Sequence, residues 1–250
     1  MTTLSAEFDT ERAPQIGLIV LQADETIERD MRRLLPETVE ALVTRVASGT
    51  HVTPESLAAM EGELRSAANL LPAGARLRAV AYGCTSGTAQ IGADRVAAAI
   101  RAGTRTPHVT EPISAVIAAC DHLGIRRLGL LSPYVASVSE RLREVLGTAG
   151  IEVPAVASFD VDEEARVARI AAASIRSAAV RLAASAEIDA LFISCTNLRT
   201  LDIIEAVEAE ARIPVLTSNQ VLAWHLSRLA GLTHGTTTAS GALWASRAPS

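Results

Sequence analysis

Short apolar runs alternate along this chain with longer stretches whose apolar residues recur at helical spacing. Ile16–Leu21 (IGLIVL), Ala41–Ala47, Ala79–Tyr82, Arg127–Leu131 (RLGLL), Val153–Phe159, Ala190–Ser194 and Pro214–Thr217 read as strands. Between them, helical periodicity covers Ile27–Leu35, Pro54–Leu70, Thr88–Arg101, Ile113–Leu123, Val135–Ala149, Glu163–Ser185, Leu201–Ala211 and Val221–Ala230. Pro36, the Pro72-Ala73-Gly74 triplet, Gly150 and Gly231 punctuate the pattern. Strands that alternate with helices of this length predict one or two parallel sheets joined by right-handed crossovers. In such folds ligands bind at the carboxyl ends of the strands. Asp24, Cys84, Tyr134, Cys195 and Asn219 each follow an apolar run, so they are the candidates for a site.

Two of those strand ends are near copies of each other. AVAYGCTSGTA surrounds Cys84 and ALFISCTNLRT surrounds Cys195; each is an apolar run that stops at Cys-Thr before a helical pattern resumes. The repeat predicts a duplicated α/β unit that brings one thiol from each half to a small molecule between them. A free thiol is mostly protonated at neutral pH, but unsatisfied N–H groups and the dipole at a helix N-terminus favour the thiolate. Thr-Ser-Gly after Cys84 and Thr-Asn after Cys195 fit that activation, with Gly83 and Gly87 allowing a tight turn. The same N–H groups suit a carboxylate or a developing enolate. The competing reading is burial, because cysteine often serves as a small hydrophobe. It is the preferred reading only for Cys120, which lies on the helix face AVIAACDHLG.

Composition narrows the class. The 250 residues are 49% hydrophobic but only 3% aromatic, so the core is aliphatic and Ala-rich, as in parallel sheets covered by helices. A net charge of −5 with no basic stripe argues against nucleic acid. No apolar run is long enough to span a bilayer, and Met1–Pro14 lacks the basic-then-apolar order of a secretory signal. Three widely spaced cysteines do not form a disulfide framework, and a cytoplasmic protein with reduced thiols is expected. His51, His108, His122, His225 and His234 show no metal-ligand spacing, and Gly83-x-x-x-Gly87 is not a phosphate loop.

The segments IGLIV…DETIE, AYGCTSGTAQIG, LLSPY, ISCTNLRTLDIIE and PVLTSNQVLAWHLSRLAG together resemble the aspartate/glutamate racemase superfamily. They are most similar to its maleate cis–trans isomerase and arylmalonate decarboxylase branch, over Ile16–Gly231. The resemblance implies two pseudo-symmetric parallel-sheet lobes with the active site in the cleft between them, and neither metal nor organic cofactor. It implies an N-terminal lobe of residues 1–115 carrying Cys84 and completed by 218–250, and a C-terminal lobe of 116–217 carrying Cys195. A homodimer or homotetramer is expected. By position, Cys84 matches a nucleophilic cysteine and Cys195 a second cysteine that handles a proton. Tyr134 matches a carboxylate-holding tyrosine, while Thr85, Ser86 and Thr196 fall where N–H groups and hydroxyls bind carboxylates. Two departures stand out. Maleate isomerases usually carry Asn where this chain has Asp24, and again near DVDEEARV, which holds Asp162, Glu163 and Glu164; the resemblance implies that Asp24 and Glu164 are the substrate-binding residues at these two places. An acid beside a dicarboxylate is repulsive unless protonated or turned away. The DETIE segment resembles instead members of ectoine and hydroxyectoine utilisation, whose substrate would carry a cationic or amide nitrogen.

These features predict a cofactor-independent isomerase or racemase acting on a small carboxylate. An isomerase would add the Cys84 thiolate to an activated double bond, allow rotation, and eliminate. A racemase would remove an α-proton with one sulfur and return one with the other. An arylmalonate-type decarboxylase is a further alternative, disfavoured because those enzymes lack the first cysteine. A non-catalytic carboxylate-binding protein is the alternative of another class. Tyr134 has a second reading as a strand-end cap and Asp24 with Glu25 as helix-start acids; Asn219 reads as the cap of the helix from Val221.

Overall fold

The computed structural model describes residues 1–9, 11–233 and 241–246; His234 and most of the C-terminal tail fall outside them. Two four-stranded parallel sheets share one plan. The first comprises β1 (Gln15–Leu21), β2 (Glu40–Val46), β3 (Leu77–Gly83) and β4 (Val109–Thr110), in the order β2-β1-β3-β4. The second comprises β5 (Arg127–Ser132), β6 (Glu152–Ser158), β7 (Ala190–Ile193) and β8 (Val215–Thr217), in the order β6-β5-β7-β8. The register is equivalent: Leu18 of β1 lies between Val43 and Ala81, as Leu130 of β5 lies between Val156 and Phe192. The chain winds outward from the first strand of each sheet to its edge, then crosses back to the third. The crevice where the winding reverses therefore lies between β1 and β3, and again between β5 and β7.

The central strands β1, β3, β5 and β7 are buried along almost their whole length, which is why they read as unbroken apolar runs rather than alternating ones. The helices are α1 (Ile27–Leu34), α2 (Pro54–Asn69), α3 (Thr85–Ile91), α4 (Ala93–Gly103), α5 (Pro112–Leu123), α6 (Ala136–Thr148), α7 (Glu164–Val167), α8 (Ala172–Ala183), α9 (Ile204–Ala211), α10 (Ser218–Leu229) and α11 (Ala242–Ala245). Local chemistry sets several starts. Thr53 and Ser56 form a capping box ahead of Pro54, and Glu111 accepts from the first N–H groups of α5 ahead of Pro112. None of these helices is long and apolar enough to cross a membrane.

Two expectations are corrected. The helix expected over Thr88–Arg101 begins at Thr85 and breaks at Gly92, whose φ of +98° separates α3 from α4. The long helix expected over Glu163–Ser185 is two, α7 and α8. The short edge strand β4 had no signal in the sequence.

Helix α10 leaves the end of β8 yet packs on β3, α1 and α5. Its residues are buried on nearly every side from Ser218 to Leu226, so it welds the two sheets together.

Candidate active site

The carboxyl ends of β1, β3, β5 and β7 converge, and the turns that follow them interlock. After β1, Asp24 accepts two N–H bonds through Oδ1, from Thr26 and Ile27 at 2.8 Å each, which covers orphan donors of α1. Its Oδ2 accepts from the hydroxyl of Thr196 at 2.8 Å, a residue of the second sheet's turn. After β3, Cys84 is the N-cap of α3 and its sulfur accepts the N–H of Gly87 at 3.2 Å. Ser86 Oγ lies 4.0 Å from that sulfur, and Thr85 Oγ1 is 2.8 Å from Ser218 Oγ at the start of α10. A methyl group at Gly87 would come within 2.8 Å of Cys84 Sγ and of the Tyr82 hydroxyl. Glycine is thus the residue that leaves room around the thiol.

After β7, Cys195 takes a φ of +113°, a region that L-residues rarely adopt. Its N–H donates to Ser218 Oγ at 2.9 Å, and its sulfur accepts from the N–H of Asn197 at 3.3 Å. The Tyr134 hydroxyl, presented by the turn after β5, stands 3.0 Å from Cys195 Sγ and donates to Glu164 Oε1 at 2.9 Å. Of the four acids in DVDEEARV, Asp160 and Asp162 are exposed and Glu163 half-buried; Glu164 is the one buried beside the thiols.

Backbone strain at Cys195 is consistent with a side chain held in place by its surroundings. Removing the side chain by Cys195→Gly is expected to give a protein about 1–2 kcal/mol more stable to denaturant than Cys195→Ala, since only glycine adopts that φ freely. Equal stability of the two variants would show that the turn is unstrained.

Asn197 lies immediately beyond the Cys195-Thr196 pair and was not singled out from the sequence. Its Oδ1 accepts from Glu25 N–H at 2.9 Å, its Nδ2 donates to Glu164 Oε2 at 3.0 Å, and its backbone oxygen accepts from Thr26 Oγ1 at 2.9 Å. One amide thus ties the β1 turn, the β7 turn and Glu164. Asn219, expected as a helix cap, is not one: Thr217 is the N-cap of α10, and its N–H donates to Gln220 Oε1 at 3.2 Å. Asn219 instead donates to Asp30 Oδ2 and to the Thr196 carbonyl, each at 2.8 Å.

Burial dominates the electrostatics. It pushes the Cys84 thiol up to about 12, against the N–H bond from Gly87 that pulls the other way. It drives Cys195 well above the ordinary thiol range, helped by the Glu164 charge. Burial thus opposes, at both sulfurs, the activation expected from the helix starts. Glu164 and Asp24 are also raised by burial, each partly offset by the hydrogen bonds above.

Asp30 is raised to about 6, again by burial against the Asn219 bond and nearby arginines. An acid whose folded pKa exceeds its unfolded one favours the fold fully below the unfolded value, and that contribution disappears as pH rises through about 6. Asp30→Asn is thus expected to be more stable than wild type at pH 8, by up to about 3 kcal/mol, with the advantage vanishing near pH 4. A difference independent of pH across that window, in denaturant titrations, would contradict it.

The site is roofed by a clasp between the two halves. Val52 N–H donates to the Asp162 carbonyl at 2.7 Å, Glu164 N–H donates to Thr50 O at 3.1 Å, and His51 faces Asp162 at 3.4 Å. Beneath it, a cavity of about 10 Å³ is lined by His51, Val52, Met60 and Glu164 among others. That is room for about one water. The other histidines with polar partners are structural: His225 meets Thr110 Oγ1 at 2.8 Å and His122 meets Ser246 Oγ at 2.9 Å. Cys120 is fully buried in α5.

Comparison with known proteins gives this geometry a lineage. The chain is 32% identical over 226 residues to the arylmalonate decarboxylase of Bordetella bronchiseptica, covering 87% of this chain and 91% of that protein. It is 28% identical to the maleate isomerase of Nocardia farcinica, covering 86% and 89%. A liganded arylmalonate decarboxylase double mutant, with a glycine replaced by cysteine and a cysteine by serine, matches at a TM-score of 0.83 and 30% identity, over 92% of this chain and 98% of that one. The arylmalonate decarboxylase family model matches residues 16–243. With that match spanning both sheets and every turn of the site, the chain belongs to the family of arylmalonate decarboxylase and the maleate isomerases.

Proposed function

We propose that this protein is a maleate-type cis–trans isomerase, in which Cys84 is the nucleophile and Cys195 the proton-handling thiol. The observation that carries the reading is the pair of buried thiols on equivalent strand ends of the two sheets, each with a backbone N–H donor to its sulfur. Cys84 thiolate adds to one alkene carbon of a small unsaturated carboxylate, and the π pair moves toward the adjacent carboxylate. The former double bond is then single and rotates; expulsion of the thiolate restores the alkene in the trans form. Cys195 gives a proton to the carbanion carbon and takes one back before elimination. The reading assigns the substrate carboxylate to Thr85, Ser86 and Thr196, within reach of a clasp that must part for entry.

A second reading is decarboxylation, favoured by the 32% identity to an arylmalonate decarboxylase. Against it stands the native pair of cysteines at the two equivalent turns. The deciding experiment is proton NMR in deuterated buffer with maleate and, separately, phenylmalonate. Fumarate formed from maleate supports the isomerase; phenylacetate alone transfers the assignment to decarboxylation. If neither substrate reacts, the Glu164 and Asp24 carboxylates point to a substrate carrying an N–H donor. The same assay with amino acids and ectoine-like compounds then looks for deuterium at the α-carbon, the mark of a racemase. Binding without turnover of any of them would leave a carboxylate-binding protein.

A further inference from the structure

The two thiols are not equivalent in what stands behind them. The Tyr134 hydroxyl lies within hydrogen-bond distance of both Cys195 Sγ, at 3.0 Å, and Glu164 Oε1, at 2.9 Å. A hydroxyl carries one proton, so it donates to one of these neighbours and accepts from the other. Glu164 cannot turn away, because Asn197 Nδ2 holds its Oε2 at 3.0 Å. Cys195, Tyr134 and Glu164 are each no more than 4% exposed, which keeps bulk water from competing. The chain contains no lysine, and among the described residues no arginine pairs with Glu164.

We propose that Glu164 is the proton store of Cys195, reached through the Tyr134 hydroxyl, so that one negative charge is shared between carboxylate and sulfur. The inference rests on the reading of Cys195 as the proton-handling thiol. In one state Glu164 is ionised, Tyr134 donates to it, and the Cys195 S–H donates to the tyrosine oxygen. In the other, the Cys195 proton has moved to Tyr134 as the Tyr134 proton moved to Glu164. The products are a Cys195 thiolate and a neutral carboxyl, with Tyr134 unchanged and total charge conserved. The relay lets Cys195 act as an acid and then as a base without exchanging protons with solvent. Glu164 is a positioning residue in this scheme, acting through Tyr134 rather than on substrate.

The titratable groups around Glu164 are Asp24 beyond β1, Cys84 beyond β3, Tyr134 beyond β5, Cys195 beyond β7, and His51 with Asp162 on the clasp. The test follows Cys195 itself, by pH titration of its ¹³Cβ resonance in cysteine-labelled full-length protein, with Cys195→Ser giving the assignment. Glu164→Gln removes the charge and frees the Tyr134 proton for sulfur. It is expected to lower the Cys195 midpoint by about one pH unit or more, a tenfold rise in the thiolate-to-thiol ratio. In a Tyr134→Phe background the same substitution should lower it far less. No shift in Glu164→Gln, or an equal shift with and without Tyr134, overturns the relay, the latter showing only charge acting through space. Should Glu164→Gln fail to fold, Glu164→Asp keeps the charge but falls one methylene short of Tyr134. It should then show the Tyr134-dependent part of the shift, and its absence is equally decisive. The titration needs no substrate, so an inert response to maleate with the shift intact would sink the isomerase and leave the relay standing.

Discussion

Cys84→Ala and Cys195→Ala are each expected to lower turnover of the true substrate by about 10³-fold or more. Loss of a covalent nucleophile or of its proton partner removes a whole step rather than a contact. In the NMR assay with maleate, both variants should leave the cis isomer unchanged over times in which wild type reaches equilibrium. The double variant should be no slower than the slower single one, because groups that act as a unit are not additive. Cys120→Ala supplies the control. That thiol is buried in α5 among apolar residues, and its loss should lower stability by about 1 kcal/mol without touching the reaction. Retention of turnover in Cys195→Ala would show that Cys84 needs no sulfur partner and would remove the two-thiol mechanism. Loss in Cys84→Ala alone would leave a single-nucleophile enzyme.

The two Cys-Thr turns could be found from sequence because their signal is local. A fully buried central strand reads as an unbroken apolar run, and its end is marked where polar residues begin. That made Cys84, Cys195, Tyr134 and Asp24 visible one strand at a time. Residues whose meaning lies across the cleft gave no such mark. Asn197 touches the β1 turn and Glu164, both remote in sequence, and Ser218 pairs with Thr85 and Cys195 from the start of α10. Glu164 comes only from the resemblance, since nothing local separates it from Asp162 and Glu163; in the fold the clasp fixes its N–H on Thr50. The break between α7 and α8 is likewise invisible locally, because an Ala-rich sequence with no Gly or Pro predicts one continuous helix. At Gly92 the breaker was present, but a lone glycine inside a helical pattern only weakens the pattern. The thiol environment was the least legible of all. The helix-start argument had the right sign for the Gly87 bond to Cys84, yet burial outweighs it, and burial is a property of the assembled lobes.

Asp24, proposed as a site residue, also holds the fold together. Its two oxygens cover the N–H groups of Thr26 and Ile27 and the hydroxyl of Thr196, joining the first turn of α1 to the second sheet. Asp24→Ala strips all three donors of this acceptor, though Thr196 keeps the Gly83 carbonyl at 3.2 Å. Loss of a helix cap and of buried partners is expected to destabilise the protein by about 3 kcal/mol. Asp24→Asn keeps the capping oxygen and relieves a buried charge, so most of that loss should be recovered. The sign of its pH dependence follows from burial, which raises the Asp24 pKa. The ionised aspartate weighs against the fold increasingly as pH rises through its folded value, so Asn should gain on wild type toward alkaline pH. Denaturant titrations of both variants at about pH 5 and pH 8 test the point. An alanine variant as stable as wild type would show that this carboxylate does not hold the two sheets together. It would then be free to act on substrate alone.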